Sequence, residues 1–232
     1  MRWRVLLQRI DRGPNGNYGR HVQTRPPAGE ATHVEQSRSD DVIHVPASVR
    51  FPVELVPPDG FDPARLETWP RVEGRLEWVG GRLLYMPPCG EMQQATVADV
   101  VGVLIPWQRA HPEFSVGTNE AGMRLGDDSR GADAGVWRQR PQRWGFRREP
   151  PVLAVEVAGQ DEGADALREK ARWYLAQEVP VVWVVLPGER EVIVVTSAGE
   201  SRHAIGEQLP MHQALPELRP QVADLFRQVS AS

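Results

Sequence analysis

The apolar positions of this chain change period several times between residues 75 and 196, and each change marks an element. RLEWV (75–79) and GRLLYM (81–86) alternate around Gly80-Gly81, a pair that accepts the positive φ angles of a tight hairpin turn. In EMQQATVADVVGVLIPWQRAH the apolar residues Val97, Val100, Val101, Leu104 and Ile105 recur at helical spacing. That predicts an amphipathic helix over residues 91–110. FSVGTNEAGMRL and ADAGVWRQ predict two further strands, and PPVLAVEVAG predicts a buried one. DEGADALREKARWYLAQ reads as a helix. VVWVVL and EVIVVTS read as strands on either side of a turn at PGERE. A strand, a helix and a strand in that order predict a right-handed parallel crossover with the helix packed on the sheet. Two short helices are expected besides, one over DPARLETW (62–69), with Asp62 capping and Pro63 in the first turn, and one within LPELRPQVADLFRQV.

Upstream of this region the periodicity stops. Residues 1–48 contain RGPNGNYGRH, TRPPAGEATH and EQSRSDD, a composition too polar to bury a core, and read as a disordered N-terminal tail. It is either a flexible extension or the product of an upstream start codon. The folded domain is expected over residues 49–232, beginning near FPVELVPP. With 232 residues, 41% of them hydrophobic, the chain has the size and content of one globular domain with a tail. No run of eighteen apolar residues predicts a membrane span. The start MRWRVLLQRIDRG has only VLL as its apolar part, too short for a signal peptide, so the expected location is cytoplasmic, with no membrane partner. The single cysteine, Cys89, excludes an internal disulfide and a cysteine metal cluster. The six histidines are scattered, three of them (His21, His33, His44) in the tail, which argues against a histidine metal site.

Charge brings in the candidate chemistry. Of the 27 basic residues only one is a lysine, Lys170, in ALREKARWYL. Arginine is a broad planar donor, whereas lysine is a compact point charge suited to a cramped site. Leu167, Ala171 and Tyr174 mark the apolar stripe of the predicted helix, and Lys170 lies in or beside that stripe, with Arg168, Glu169 and Arg172 outward. An ammonium turned toward a sheet needs a partner. Glu156 offers one, because it interrupts the apolar run VLAVEV near the carboxyl end of its strand, where open α/β sheets place their sites. Asp133, in RGADAGVW, lies on the preceding strand. Two carboxylates on adjacent strands beside a lysine suit a magnesium site for phosphodiester chemistry, in which the lysine orients the attacking water and offsets charge. The same residues also admit a purely structural ion pair between Lys170 and Glu156.

These segments, in this order over roughly residues 62–228, resemble the Uma-type family of restriction endonucleases in the PD-(D/E)xK nuclease superfamily. RLEWVGGRLLYMPP resembles the family's hairpin, with Glu77 at its acidic position. GADAGVW resembles its Pro-Asp-Val motif, with Asp133 as the acid. PPVLAVEVAGQ resembles its Glu-Val strand, with Glu156. KARWYLAQEVPVVWVVLP resembles its lysine and tyrosine segment, through Lys170, Tyr174, Val179 and Trp183, and LPELRPQVADLF resembles its closing segment. The resemblance implies an α/β restriction-endonuclease-like core, a central mixed β-sheet flanked by α-helices. It implies a metal-dependent endonuclease acting on DNA with Mg2+ or Mn2+. Asp133, Glu156 and the Val157 carbonyl would be the metal ligands, Lys170 the residue handling the nucleophile, and Glu77 a further acid. Nucleases of this fold often act as dimers, so a homodimer is among its implications.

Several positions depart from the family pattern. Ala132 replaces the proline before the aspartate, and Gly80-Gly81 replaces Asp-Gly. Ala158 stands where the superfamily usually has its lysine, and Gly159-Gln160-Asp161 replaces Ser-Pro-Ser. Met92, Gln93 and Gln94 occupy the region where the family often has a histidine. A second reading is therefore a catalytically inactive nuclease fold that binds nucleic acid or protein. The charge distribution bears on both readings. Residues 1–50 hold eight arginines and five acids, which leaves residues 51–232 at -7 within a chain of -4. Arg138, Arg140, Arg143, Arg147 and Arg148 form the one strong basic cluster in that acidic body and are the candidate phosphate contacts, or else a solvated loop. Trp137 and Trp144 are expected to be exposed beside them, and Trp173 and Trp183 to pack the core.

Overall fold

The computed structural model describes residues 3–6, 42–45, 51–160 and 162–229. The chain divides into two compact units, Met1–Val49 with Pro70–Glu73, and Arg50–Trp69 with Gly74–Ser232. In the first, strand β1 (Trp3–Leu6) pairs antiparallel with β2 (Val42–Val45), Trp3 opposite Val45. Most of residues 1–48 lies outside the described residues, and the expectation of a disordered tail lies there with it.

The second unit carries a nine-stranded mixed sheet. Its strands are β3 (Val53–Leu55), β4 (Arg75–Val79), β5 (Arg82–Met86), β6 (Phe114–Leu125), β7 (Asp128–Arg138), β8 (Leu153–Val157), β9 (Val182–Leu186), β10 (Glu191–Thr196) and β11 (Gly199–Ala204). The order is β11-β10-β9-β8-β7-β4-β5-β3, and β6 pairs with β7 off that path. Helix α1 (Glu91–Ala110) lies between β5 and β6 in the chain, and α2 (Ala164–Ala176) joins β8 to β9, the parallel pair of the sheet. The β4–β5 turn uses Gly80 and Gly81 at φ 57° and 78°, values that favour glycine over any side chain.

The central strands are apolar on both sides because each side is covered. Val181, Trp183 and Val185 join Val100 and Leu104 of α1 in one core, closed by Leu225 and Phe226 near the C-terminus. Val182, Val184 and Leu186 join Leu167, Ala171 and Tyr174 of α2 in the other. A strand buried on both faces reads as a continuous apolar run, as PVLAVEV and VVWVVL do. Glu156 is the acid that interrupts this pattern, and its side chain faces α2.

Three expectations are corrected. Residues 62–69 form no α-helix, only a 3-10 turn at Leu66–Thr68. The single Thr68 hydroxyl proton is shared between the Asp62 and Arg65 carbonyls, and the oxygen accepts from the Asp62 N–H, which closes the segment on itself and competes with helical bonding. The short closing helix is present, as expected, as a 3-10 helix over Val222–Phe226. The strand read from ADAGVWRQ runs from Asp128 to Arg138. Trp137 is buried, at 1% exposure, because Gly135 leaves room for its ring and the Arg147 guanidinium lies 4.6 Å over it. Trp144 is fully exposed and Trp183 is in the core, as expected.

Candidate active site

Strands β7 and β8 are antiparallel with Ala134 opposite Val155. One position further along the same register, Asp133 stands beside Glu156, and residues directly opposite in a sheet share a face. Both are buried, at 6% and 1% exposure. The Val157 N–H donates to Asp133 Oδ2 at 2.7 Å, which fixes one carboxyl oxygen where the β7–β8 pairing ends. Asp133 Oδ1 lies 3.4 Å from Arg75 Nη1.

Glu156 is held from α2. The Tyr174 hydroxyl donates to its Oε1 at 2.6 Å, and Lys170 Nζ lies 3.3 Å from its Oε2. Both donors come from the inward face of the helix, four residues apart, so one turn of α2 presents them together. Lys170 Nζ also donates to Glu162 Oε1 at 2.8 Å, and Glu162 Oε2 accepts from the Gly159 N–H at 3.3 Å. Glu77 is buried on β4. Its Oε1 accepts from the Gly131 N–H at 3.4 Å and lies 3.8 Å from Arg75 Nε, and its Oε2 lies 3.4 Å from Arg130 Nη1. Arg75 therefore stands between Glu77 and Asp133. The fold brings all four sequence-predicted side chains, Asp133, Glu156, Lys170 and Glu77, into one charged cluster.

The cluster sets its own protonation. Burial, and then the charge of Glu156, push the Asp133 carboxyl up to about 7, beyond what Arg75, the Val157 N–H and Lys170 offset. Burial works against the Lys170 ammonium, but Glu156 and Glu162 outweigh it and hold the group above the ordinary lysine value. Burial would raise Glu162, yet Lys170 beside it pulls it below the usual carboxylate range. Burial and Glu156 push the Tyr174 hydroxyl well above its usual value, so it remains a donor. Lys170 is thus a fixed cation that donates hydrogen bonds and does not take protons.

Two buried carboxylates that still repel one another, despite two cations, form a place where a further positive charge is favoured. Their oxygens and the neighbouring Val157 carbonyl are hard donors of the type Mg2+ and Mn2+ take. The carbonyl accepts from Gln93 Nε2 at 3.0 Å, which uses one of its two lone pairs. Among the described residues no three ligating side chains gather closely enough to enclose an ion. A cation here would complete its shell with water, as Mg2+ does. A cleft of about 310 Å3 reaches Asp133 from the first turns of α1, lined by Gln93, Gln94, Val97 and Thr118 among others.

Arg75, Glu162 and Arg130 are the members of the cluster that sequence reasoning missed. Arg75 carried a signal, since it precedes Glu77 by two and so shares its face of the strand. Glu162 carried none, because it lies in a connection without periodicity. Asp161 lies outside the described residues. Gln93, in the region where the family often has a histidine, is aimed at the Val157 carbonyl.

Comparison with known proteins follows the same lines. Residues 63–225 match the Uma2 family, described as "Putative restriction endonuclease". A crystal structure of a putative nuclease belonging to DUF820 from Anabaena variabilis superposes with a TM-score of 0.62. It covers 71% of this chain and 96% of its own, at 17% identity, a likeness of fold. No curated protein matches the sequence.

Proposed function

The chain belongs to the Uma2 restriction endonuclease family, and from that premise we propose that it is a metal-dependent endonuclease that hydrolyses phosphodiester bonds in DNA. The observation that carries this reading is the placement of Asp133 and Glu156 side by side with the Lys170 ammonium 3.3 Å from Glu156. In it, Asp133, Glu156 and the Val157 carbonyl hold Mg2+ or Mn2+. Bound there, such an ion supplies Lewis acidity toward the scissile phosphate and lowers the pKa of a water. The chain's own residues do the rest. Tyr174 fixes one oxygen of Glu156 by donating to it, and Lys170 engages the other, so the carboxylate is held as the acceptor of two donors. Lys170, held charged by Glu156 and Glu162, donates to a phosphate oxygen or to the attacking water and offsets the negative charge that grows in the transition state. Arg75 screens Asp133 from Glu77, so three buried acids coexist.

A second reading, a non-catalytic nucleic-acid or protein binding module of the same fold, is favoured by one observation: Gln93 already engages the Val157 carbonyl. Calorimetric titration with Mn2+ separates the two. The endonuclease reading expects one binding event that disappears in Asp133→Asn and in Glu156→Gln. Absence of binding by the wild-type chain, or binding that survives both substitutions, favours the module.

A further inference from the structure

The connection between β7 and β8 is longer than an antiparallel pair needs, and it returns to the sheet. The Arg147 N–H donates to the Gly122 carbonyl at 3.1 Å, and the Arg147 carbonyl accepts from the Arg124 N–H at 2.8 Å, a one-residue bridge onto β6. The Arg147 guanidinium covers the buried Trp137 ring, and Phe146 packs against Trp69 with ring centroids 5.4 Å apart. Between these anchors and the rest of the loop stands Gly145 at φ 91°, a conformation that L side chains avoid. That turn sends Phe146 inward and leaves Trp144 fully exposed. A tryptophan on a pinned loop is a built feature of the surface.

Trp144 lines a cleft of about 340 Å3 with Arg140, Arg143 and Arg148. The carboxylates in its wall are matched: Glu149 lies 2.8 Å from Arg140, and Glu67 lies 2.9 Å from Arg65. Among the described residues neither Arg143 nor Arg148 has a carboxylate at ion-pair distance. An indole face beside unmatched guanidinium groups offers stacking and phosphate contacts together. A duplex shows phosphates and base edges but keeps its base faces in the stack, so the indole face selects unpaired bases. The place fits too. Arg147 bridges β6, and β6 neighbours β7, so the loop backbone lies two strand spacings, about 10 Å, from the strand bearing Asp133.

We propose that Trp144, with Arg143 and Arg148, is a stacking platform for an unpaired DNA strand that flanks the candidate active site. The choice of DNA rests on the endonuclease reading, but the binding does not need catalysis. It is tested by fluorescence anisotropy of a labelled oligothymidylate with the full chain in EDTA, so that nothing is cleaved. Trp144→Ala weakens the single strand about 5- to 100-fold, Trp144→Phe recovers most of the loss, and affinity for a duplex of the same length is unchanged. Arg143→Ser with Arg148→Ser lowers the slope of log affinity against log salt by about 1.4. The Trp144 side chain packs against nothing, so the variant folds, which circular dichroism checks. Single-strand binding that ignores Trp144, an equal loss on duplex, or tighter binding of an oligouridylate overturns the proposal. A chain that binds through Trp144 but never cleaves DNA removes the endonuclease reading and leaves the platform. A chain that cleaves, with affinity indifferent to Trp144, does the reverse.

Discussion

Lys170→Met is the substitution whose cost the structure specifies most closely. It removes an ammonium 3.3 Å from Glu156, which is 1% exposed, and 2.8 Å from Glu162. Glu156 would keep the Tyr174 hydroxyl at 2.6 Å but lose the cation that balances it. Removing one partner of a buried pair costs about 3–5 kcal/mol, and the partial exposure of Lys170 and Glu162 places this case near the lower figure. With a urea m value of about 2 kcal/mol per M, the unfolding midpoint falls by roughly 1.5 M. The control is Glu156→Gln added to Lys170→Met, which removes the uncompensated charge and keeps the shape. It restores at least half of the loss. Glu156→Gln alone costs less than Lys170→Met, because Lys170 keeps Glu162. Urea unfolding by far-UV circular dichroism, with the four proteins side by side, gives the cycle. A cost for Lys170→Met of about 0.5 kcal/mol, the level of a surface pair, or no recovery in the double variant, refutes the account of Lys170 as the charge balance of Glu156.

Three further outcomes follow from the same geometry. Without metal, Asp133 titrates near 7 in the folded chain instead of 3.8, so the folded state binds more protons across that window. Stability therefore falls as pH rises from about 4 to 7, by at most about 4 kcal/mol, and Asp133→Asn flattens the trend in EDTA; an unchanged slope contradicts the assignment. Tyr174→Phe removes a buried donor from a charged acceptor and costs about 1.5–3 kcal/mol in urea unfolding, whereas a neutral result means Glu156 does not depend on it. Gly135→Ala places a Cβ 2.7 Å from the Trp137 ring and 3.0 Å from the Leu153 carbonyl, which lowers stability by about 1–3 kcal/mol and shifts tryptophan fluorescence; wild-type values in both show that the ring moves freely.

Much of this arrangement was legible in the sequence because period and burial agree there. The hairpin about Gly80-Gly81, α1 from residue 91 to 110 and the β8-α2-β9 crossover each announce themselves through apolar spacing. Lys170 stood out as the single lysine on an inward stripe, and Glu156 as a charge in an apolar run. What stayed hidden depends on contacts between distant segments. The spacing of Arg75 two residues before Glu77 puts it on the same face, but its ion pair with Asp133 appears only when β4 meets β7. Glu162 reaches Lys170 from the connection before α2, where its other carboxylate oxygen accepts from the Gly159 N–H. Trp137 looked like a surface residue beside arginines, and its burial follows from Gly135 on one side and Arg147 on the other. A 3-10 turn at Leu66–Thr68 replaces the helix expected over residues 62–69 because the Thr68 hydroxyl bonds to the backbone compete with helical bonding.

The most direct test is conversion of supercoiled plasmid to nicked and linear forms in Mn2+ or Mg2+ by the wild-type chain, Lys170→Ala and Glu156→Ala, each checked for folding. The account predicts cleavage by the wild type that requires the divalent ion and falls about 100-fold or more in both variants. No cleavage of any DNA by the folded wild-type chain, or equal cleavage by all three proteins, contradicts it.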